Sequence, residues 1–390
     1  MACKKKGDAI SPDTVKALYL HVPFCLRKCR YCDFYSVTAD ASRFATFVRA
    51  AGIELEMRRA ELSAPADSIF VGGGTPTALG PAALEKLLAP LTALAARDCE
   101  FSLEANPCSL DSAVASVIEA AGVNRVSIGA QSLHDGELAT LGRPHKAADV
   151  ARAVETVRRA GIDNISLDLI YGIPGQTLAS WQQSLTAAMA LRPSHMSCYA
   201  LSVEDGTPLA ADVAAGRLQP ADEQTQKDCY CAAIAALRDG GLEHYEISNF
   251  ARPGRRCRHN LTYWHNRPYV GIGPAAASYV AGTRRTNNPD LDAYIASLTA
   301  GRQPPASAEH LSGKAAYAET LMLGLRLIDG VNRPAMVKRF GTDPVEAFPQ
   351  AVTRYASQGA LVVTDDRIRI AREYLFASDT ILADIIAERD

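Results

Sequence analysis

The chain has 390 residues, of which 48% are hydrophobic and 22% charged, more than one ordinary domain needs and typical of a folded protein. Lysine and arginine total 41 against 43 acidic residues, a formal net charge of −2. That balance excludes bulk electrostatic attraction to nucleic acid or anionic lipid as the main activity.

Met1–Asp8 carries three lysines with no apolar stretch behind them, so no secretory signal is expected. No run of about 18 apolar residues is present to span a bilayer, and a cytoplasmic location with reduced cysteines is expected. From residue 15 to 245, short apolar runs alternate with amphipathic ones. Strands are expected near 17–22, 68–72, 100–104, 125–129, 164–169 and 196–202, each almost continuously apolar, as strands covered on both faces are. Helices are expected near 41–60, 81–96, 111–121, 146–160, 177–191 and 222–239, with Gly161 and Gly240-Gly241 as stop signals. Six β–α units in a row predict a parallel sheet with right-handed crossovers, two units short of an eight-unit barrel. The expected fold class is therefore α/β, with a partial (β/α)6 TIM-like barrel over residues 1–245.

Beyond Tyr245 the alternation stops. Residues 246–305, rich in Arg, Asn, Gly and Pro, are expected to form an irregular extension laid on the barrel, and 301–313 reads as a linker. Residues 306–390 read as helices, then a hairpin around Asp365-Asp366, then a last helix, which predicts a small α+β, winged-helix-like domain. Its acidic and basic residues nearly balance, which disfavours a DNA-groove role.

Seven of the ten cysteines are scattered (Cys3, Cys99, Cys108, Cys198, Cys229, Cys231, Cys257) and read as small hydrophobes; Cys229 and Cys231 fall on opposite sides of a helix. The other three stand together as Cys25-x-x-x-Cys29-x-x-Cys32, directly after the first strand, where α/β barrels place their chemistry. Three thiolates on one loop suit a [4Fe–4S] cluster with one iron left open; zinc, completed by His21 or Asp33, is the alternative. The second strand runs into Gly72-Gly73-Gly74-Thr75-Pro76, a backbone a ligand can approach closely and, lacking a following Gly-Lys-Ser/Thr, no P-loop.

This cysteine loop and glycine triplet resemble the radical S-adenosylmethionine (SAM) superfamily. The resemblance narrows to the branch of the oxygen-independent coproporphyrinogen III dehydrogenase, also called an oxidase, and its relatives, over nearly the whole chain. It implies a [4Fe–4S] cluster on Cys25, Cys29 and Cys32, with SAM on the open iron. It further implies that Tyr19 contacts SAM, Tyr31 flanks the adenine, and Gly73, Gly74 and Thr75 take the amino-acid end. Glu104, Gln131, Arg143 and Asp168, each near a successive strand end, complete the SAM set by the same resemblance. The residue types suit it: carboxylates for ammonium, sulfonium and ribose hydroxyls, and an arginine for a carboxylate.

Two features depart from the dehydrogenase: Phe34 stands where that family has a further cysteine, and few residues precede the first strand. Both match a sister family of radical-SAM-type haem chaperones. That family's HNxxYW motif occurs as His259-Asn260-Leu261-Thr262-Tyr263-Trp264. The resemblance implies a haem contact at His259, with His265 or Cys257 as other candidate ligands. The implied partners are haem and haem-acceptor proteins, with transient contact to membrane proteins. Gly271-Ile-Gly273-Pro-Ala-Ala276 mimics a dinucleotide fingerprint, but Pro274 sits inside the would-be turn and no β–α–β unit surrounds it. The preferred function is a haem carrier; the alternative is a radical enzyme that oxidatively decarboxylates coproporphyrinogen III.

Overall fold

The computed structural model describes residues 14–63 and 65–388; the expectations placed on Met1–Asp8 and Cys3 lie outside them. Nine strands form the main sheet: β1 Ala17–Val22, β2 Ala66–Gly73, β3 Ala95–Ala105, β4 Arg125–Gln131, β5 Asn164–Tyr171, β6 His195–Ala200, β7 Glu243–Glu246, β8 Asn249–Ala251 and β9 Val270–Ile272. Their order is β9-β1-β2-β3-β4-β5-β6-β8-β7, parallel from β9 through β6 and antiparallel from β6 to β7. β9 and β7 do not pair with each other among the described residues, so the sheet stays open as an incomplete barrel should.

Each of the six parallel strands from β1 to β6 is followed by a crossover helix: Ala41–Arg58, Gly80–Thr92, Ser112–Ala120, Ala147–Arg159, Leu178–Ala190 and Glu223–Asp239. Their starts are chemical: Asp40, Asp111, Thr177 and Asp222 each accept a hydrogen bond from a first-turn backbone N–H. Gly161 and Gly241, with φ of 90° and 81°, take the left-handed conformation that ends two of them. Behind the sheet, fully buried Trp181 donates its indole N–H to the Cys229 carbonyl at 2.8 Å and so joins the last two crossover helices. The alanine-rich run expected to stay helical to Ala96 instead leaves the helix after Thr92 and pairs Ala95 with Ala66, sheet pairing overriding alanine's helix propensity. Two seven-residue helices, Asp135–Leu141 and Pro208–Ala214, are too short to show a helical period in the sequence.

Residues 246–305 are more regular than expected. They supply β8, β9, helices Arg258–Trp264 and Leu291–Thr299, and two strands, Ala277–Val280 and Thr283–Asn287. Ala306–His310, inside the expected linker, pairs with Thr283–Asn287 to complete a three-stranded antiparallel sheet. The glycines of the false dinucleotide fingerprint serve packing: a Cβ on Gly271 would lie 2.0 Å from the Ala277 carbonyl oxygen, and one on Gly273 would lie 2.5 Å from that of His21. β9 is locked to the first crossover helix by buried Glu54, which accepts from Gly273 N–H, Asn287 Nδ2 and the Tyr294 hydroxyl at 2.7–2.8 Å.

Gly313–Leu325 opens the C-terminal domain, whose small sheet joins Val331–Asn332, Arg367–Ile370 and Leu361–Val363, and whose last helix is Ser378–Ala387. Hairpin and final helix match the winged-helix-like expectation. Backbone bonds from Ile247 N–H to the Arg326 carbonyl and from Ile328 N–H to the Tyr245 carbonyl dock this domain on β7. No helix among the described residues is long and apolar enough to cross a membrane.

Candidate functional site

The cysteine loop leaves β1 and is pinned at several points. Phe24–Cys25 pairs with Val37–Thr38, Thr75 N–H donates to the Phe24 carbonyl at 2.7 Å, and Arg30 N–H donates to the Leu141 carbonyl at 3.0 Å. Cys29 is buried and Cys25 and Cys32 are half-buried, and all three line one cavity of about 570 Å³. Tyr31, Gly73, Gly74, Thr75, Glu104, Gln131, Arg143 and Asp168 line the same cavity. Tyr19 does not; it faces an adjoining cavity.

Backbone and side chains both account for this convergence. Gly73, at φ 106°, takes a conformation few other residues adopt, and a Cβ there would strike the His21 ring at 2.6 Å. The glycine triplet is thus demanded by packing as well as by any ligand. A bulge at Ala130 and a left-handed backbone at Gln131 (φ 63°) strain β4 where it enters the cavity, the kind of strain found at functional sites. Asp168 accepts hydroxyl hydrogen bonds from Ser127, Ser166 and Ser197 at 2.8–3.2 Å. Sequence reasoning missed these serines. Their signal was a lone serine inside each of three apolar strands, and the register sets Ser127 beside Ser166 and Asp168 beside Ser197.

The electrostatics suit a cationic ligand beside an anionic centre. Burial, with Asp168 adding repulsion, pushes the Glu104 carboxyl up to about 7; its direct partner is Gly73 N–H at 3.1 Å. Arg143 donates to Cys29 Sγ at 3.3 Å and to the Gly129 carbonyl at 2.8 Å, and its buried Nε has no partner. Burial raises the Cys25 and Cys32 thiols above their ordinary value, which disfavours bare thiolates there. Among the described residues no three His, Cys, Asp or Glu side chains converge tightly enough to hold one metal ion. His21, expected as one possible fourth zinc ligand, is engaged elsewhere, with Tyr19 OH at 3.1 Å and the Tyr35 carbonyl at 3.0 Å. A cubic cluster spreads its thiolates further apart, and the enclosed loop, the arginine on Cys29 and the free guanidinium nitrogen fit it and a carboxylate-bearing ligand.

A second cavity, of about 470 Å³, lies beside the first and shares Phe34, Gly73 and Glu104 with it. Tyr19, His21, Tyr35, Tyr263, Trp264 and Tyr269 also line it. Of the HNxxYW motif, then, Tyr263 and Trp264 reach a cavity. His259 does not: it is 1% exposed, Nδ1 is bonded to Ser68 Oγ at 3.1 Å and Nε2 to Tyr263 OH at 2.8 Å. Burial and nearby Arg125 push it down to about 3, so it is neutral. The expected haem contact, His259, thus has both ring nitrogens engaged inside the core. The other candidate ligands fare no better. Cys257 is fully buried against Glu100, and His265 borders an outer groove.

An open, mostly parallel α/β sheet with three cysteines on the loop after its first strand defines the radical SAM class, and residues 19–188 match the radical SAM superfamily model. Residues 311–373 match the HemN C-terminal domain. The fold resembles that of coproporphyrinogen III oxidase (HemN) from Escherichia coli, with a TM-score of 0.82 at 20% identity over 97% of this chain and 91% of that one. The haem chaperone HemW of Bacillus subtilis is 33% identical over 92% of this chain and 96% of its own length. HemW of Mycobacterium tuberculosis is 39% identical over 83% and 85%. The chain belongs to the HemW family.

Proposed function

We propose that this protein is a haem chaperone, which binds haem and passes it to acceptor proteins, on a scaffold carrying a [4Fe–4S] cluster and exchangeable SAM. Kinship with proteins named haem chaperone HemW over nearly the full chain is the observation that carries the reading. In it, Cys25, Cys29 and Cys32 hold the cluster, which would supply single electrons at the cavity wall. Gly73, Gly74, Thr75, Glu104, Gln131, Arg143 and Asp168 receive SAM, with Tyr31 at the adenine. Tyr19 touches SAM only from the adjoining cavity, across Gly73 and Glu104, which border both spaces.

The chemistry of the lining supports these roles. Glu104 and Asp168 offer negative charge to a sulfonium and an ammonium, and the unpartnered Nε of Arg143 offers a donor to the carboxylate. The described cysteines are all free thiols, which suits a reducing compartment such as the cytoplasm. Haem-acceptor proteins, membrane-bound ones among them, are the partners in this reading. Phe34 weighs against dehydrogenation of coproporphyrinogen III. The test is haem retention and transfer to an apo-acceptor by the anaerobically reconstituted protein, set beside its turnover of coproporphyrinogen III with SAM and a reductant. Stable haem binding without turnover is expected; enzyme-like turnover without haem retention would reverse the assignment. Replacing all three cluster cysteines by alanine is expected to abolish bound iron and sulfide.

A further inference from the structure

Tyr263, Trp264 and Tyr269, which line the second cavity, have no part in holding cluster or SAM. We propose that the cavity bounded by Tyr19, Phe34, Tyr263 and Trp264 is where haem binds, and that His259 is a positioning residue behind Tyr263 instead of an iron ligand. This placement rests on the haem-chaperone reading and goes beyond it by assigning the site.

Aromatic side chains are prominent in the wall, and a planar, apolar macrocycle packs against such surface. The volume of about 470 Å³ falls in the range of small-molecule and cofactor sites. Phe34 stands at the opening with 67% of its surface exposed, apolar area that a ligand in this cavity would cover. Trp264 is part of this wall, and its buried Nε1 has no hydrogen-bond partner within the protein. Arg284 borders the same space, its charge shared with Glu319 at 2.7 Å, and can meet a propionate edge.

His259 acts from behind this wall. It accepts from or donates to the Tyr263 hydroxyl at 2.8 Å and is anchored on its other side by Ser68 Oγ, so it fixes the phenol ring that faces the cavity. Reaching iron would require breaking both bonds and unpacking a side chain stacked beside Phe70 with ring centroids 5.3 Å apart. Since Gly73, Glu104 and Phe34 border both cavities, haem here would abut bound SAM.

The experiment is haem titration of the full-length, anaerobically reconstituted protein, followed by the Soret band, for wild type, Trp264→Ala, Phe34→Ala, Tyr263→Phe and His259→Gln. Cluster absorption and circular dichroism serve as folding controls. Trp264→Ala and Phe34→Ala are each expected to weaken haem binding about tenfold or more. His259→Gln is expected to keep the wild-type Soret position and to weaken binding no more than Tyr263→Phe does, because the glutamine amide loses at most the one hydrogen bond that Tyr263→Phe removes. A shifted Soret band in His259→Gln, with Tyr263→Phe unchanged, would make His259 the iron ligand and overturn the proposal. Wild-type affinity in folded Trp264→Ala and Phe34→Ala would overturn the cavity while leaving the chaperone reading intact. Failure of wild type to bind haem would remove both.

Discussion

Glu104 holds a carboxyl at the junction of the two cavities, near Asp168 and with the Gly73 amide as its direct partner. Its pKa, raised to about 7 by burial and then by Asp168, exceeds the unfolded value, so its neutral form stabilises the ligand-free fold below about pH 4.5. That contribution is lost as pH rises through about 7. A bound cation reverses the preference and favours the carboxylate. SAM affinity, measured by anaerobic calorimetry, is therefore expected to rise from pH 5.5 to about 7 and level off above it, with proton release in the lower range. Glu104→Gln should bind more weakly and lose the slope; an unchanged slope would place the linkage elsewhere. The cluster cysteines, the glycines and Glu104 were legible in the sequence because strand ends bring such residues to one rim. The burial of His259 was not, because it depends on Ser68, far back in the chain, meeting its ring.

The strands from β1 to β6 could be read from sequence because both faces are buried, which leaves long apolar runs between recognisable helix caps. β9 could not, being three residues, Val270-Gly271-Ile272, whose place beside β1 depends on contacts made by other elements. Glu54 is the chief of these. Its buried carboxylate gathers three donors from Gly273, Asn287 and Tyr294 and so ties the edge strand to the first crossover helix. Glu54→Ala strands those donors and is expected to cost about 3 kcal/mol or more, read as a lowered denaturation midpoint. Further along the same layer of crossover helices, Trp181→Ala removes a fully buried indole that bonds the Cys229 carbonyl, and about 3–5 kcal/mol is expected to be lost. A change below about 1 kcal/mol at either site would show that the sheet tolerates slack there.

Across the whole molecule, the C-terminal domain borders the aromatic cavity. Leu323, on the helix Gly313–Leu325, lines the aromatic cavity, and Arg326 stacks over Trp264 at 4.9 Å. Glu319 on the same helix accepts from Arg284 at 2.7 Å and from Asn266 at 3.1 Å, joining that helix to the segment that carries the HNxxYW motif. Glu319→Gln is expected to cost about 1–2 kcal/mol and to speed amide exchange over residues 313–325, with haem affinity falling alongside. Exchange unchanged in that helix would mean the domain is held by its backbone bonds at Ile247 and Ile328 alone. The domain was visible in the sequence as helices and a hairpin, but its share in the cavity was not, since long-range docking leaves no local pattern. The most direct test of the account is the iron, sulfide and haem content of the full chain purified without oxygen and then offered haem. Iron and sulfide matching one [4Fe–4S] cluster per chain, with haem retained through gel filtration, is the result expected. Zinc or no metal at the cysteine loop, with haem lost on the column, would contradict it.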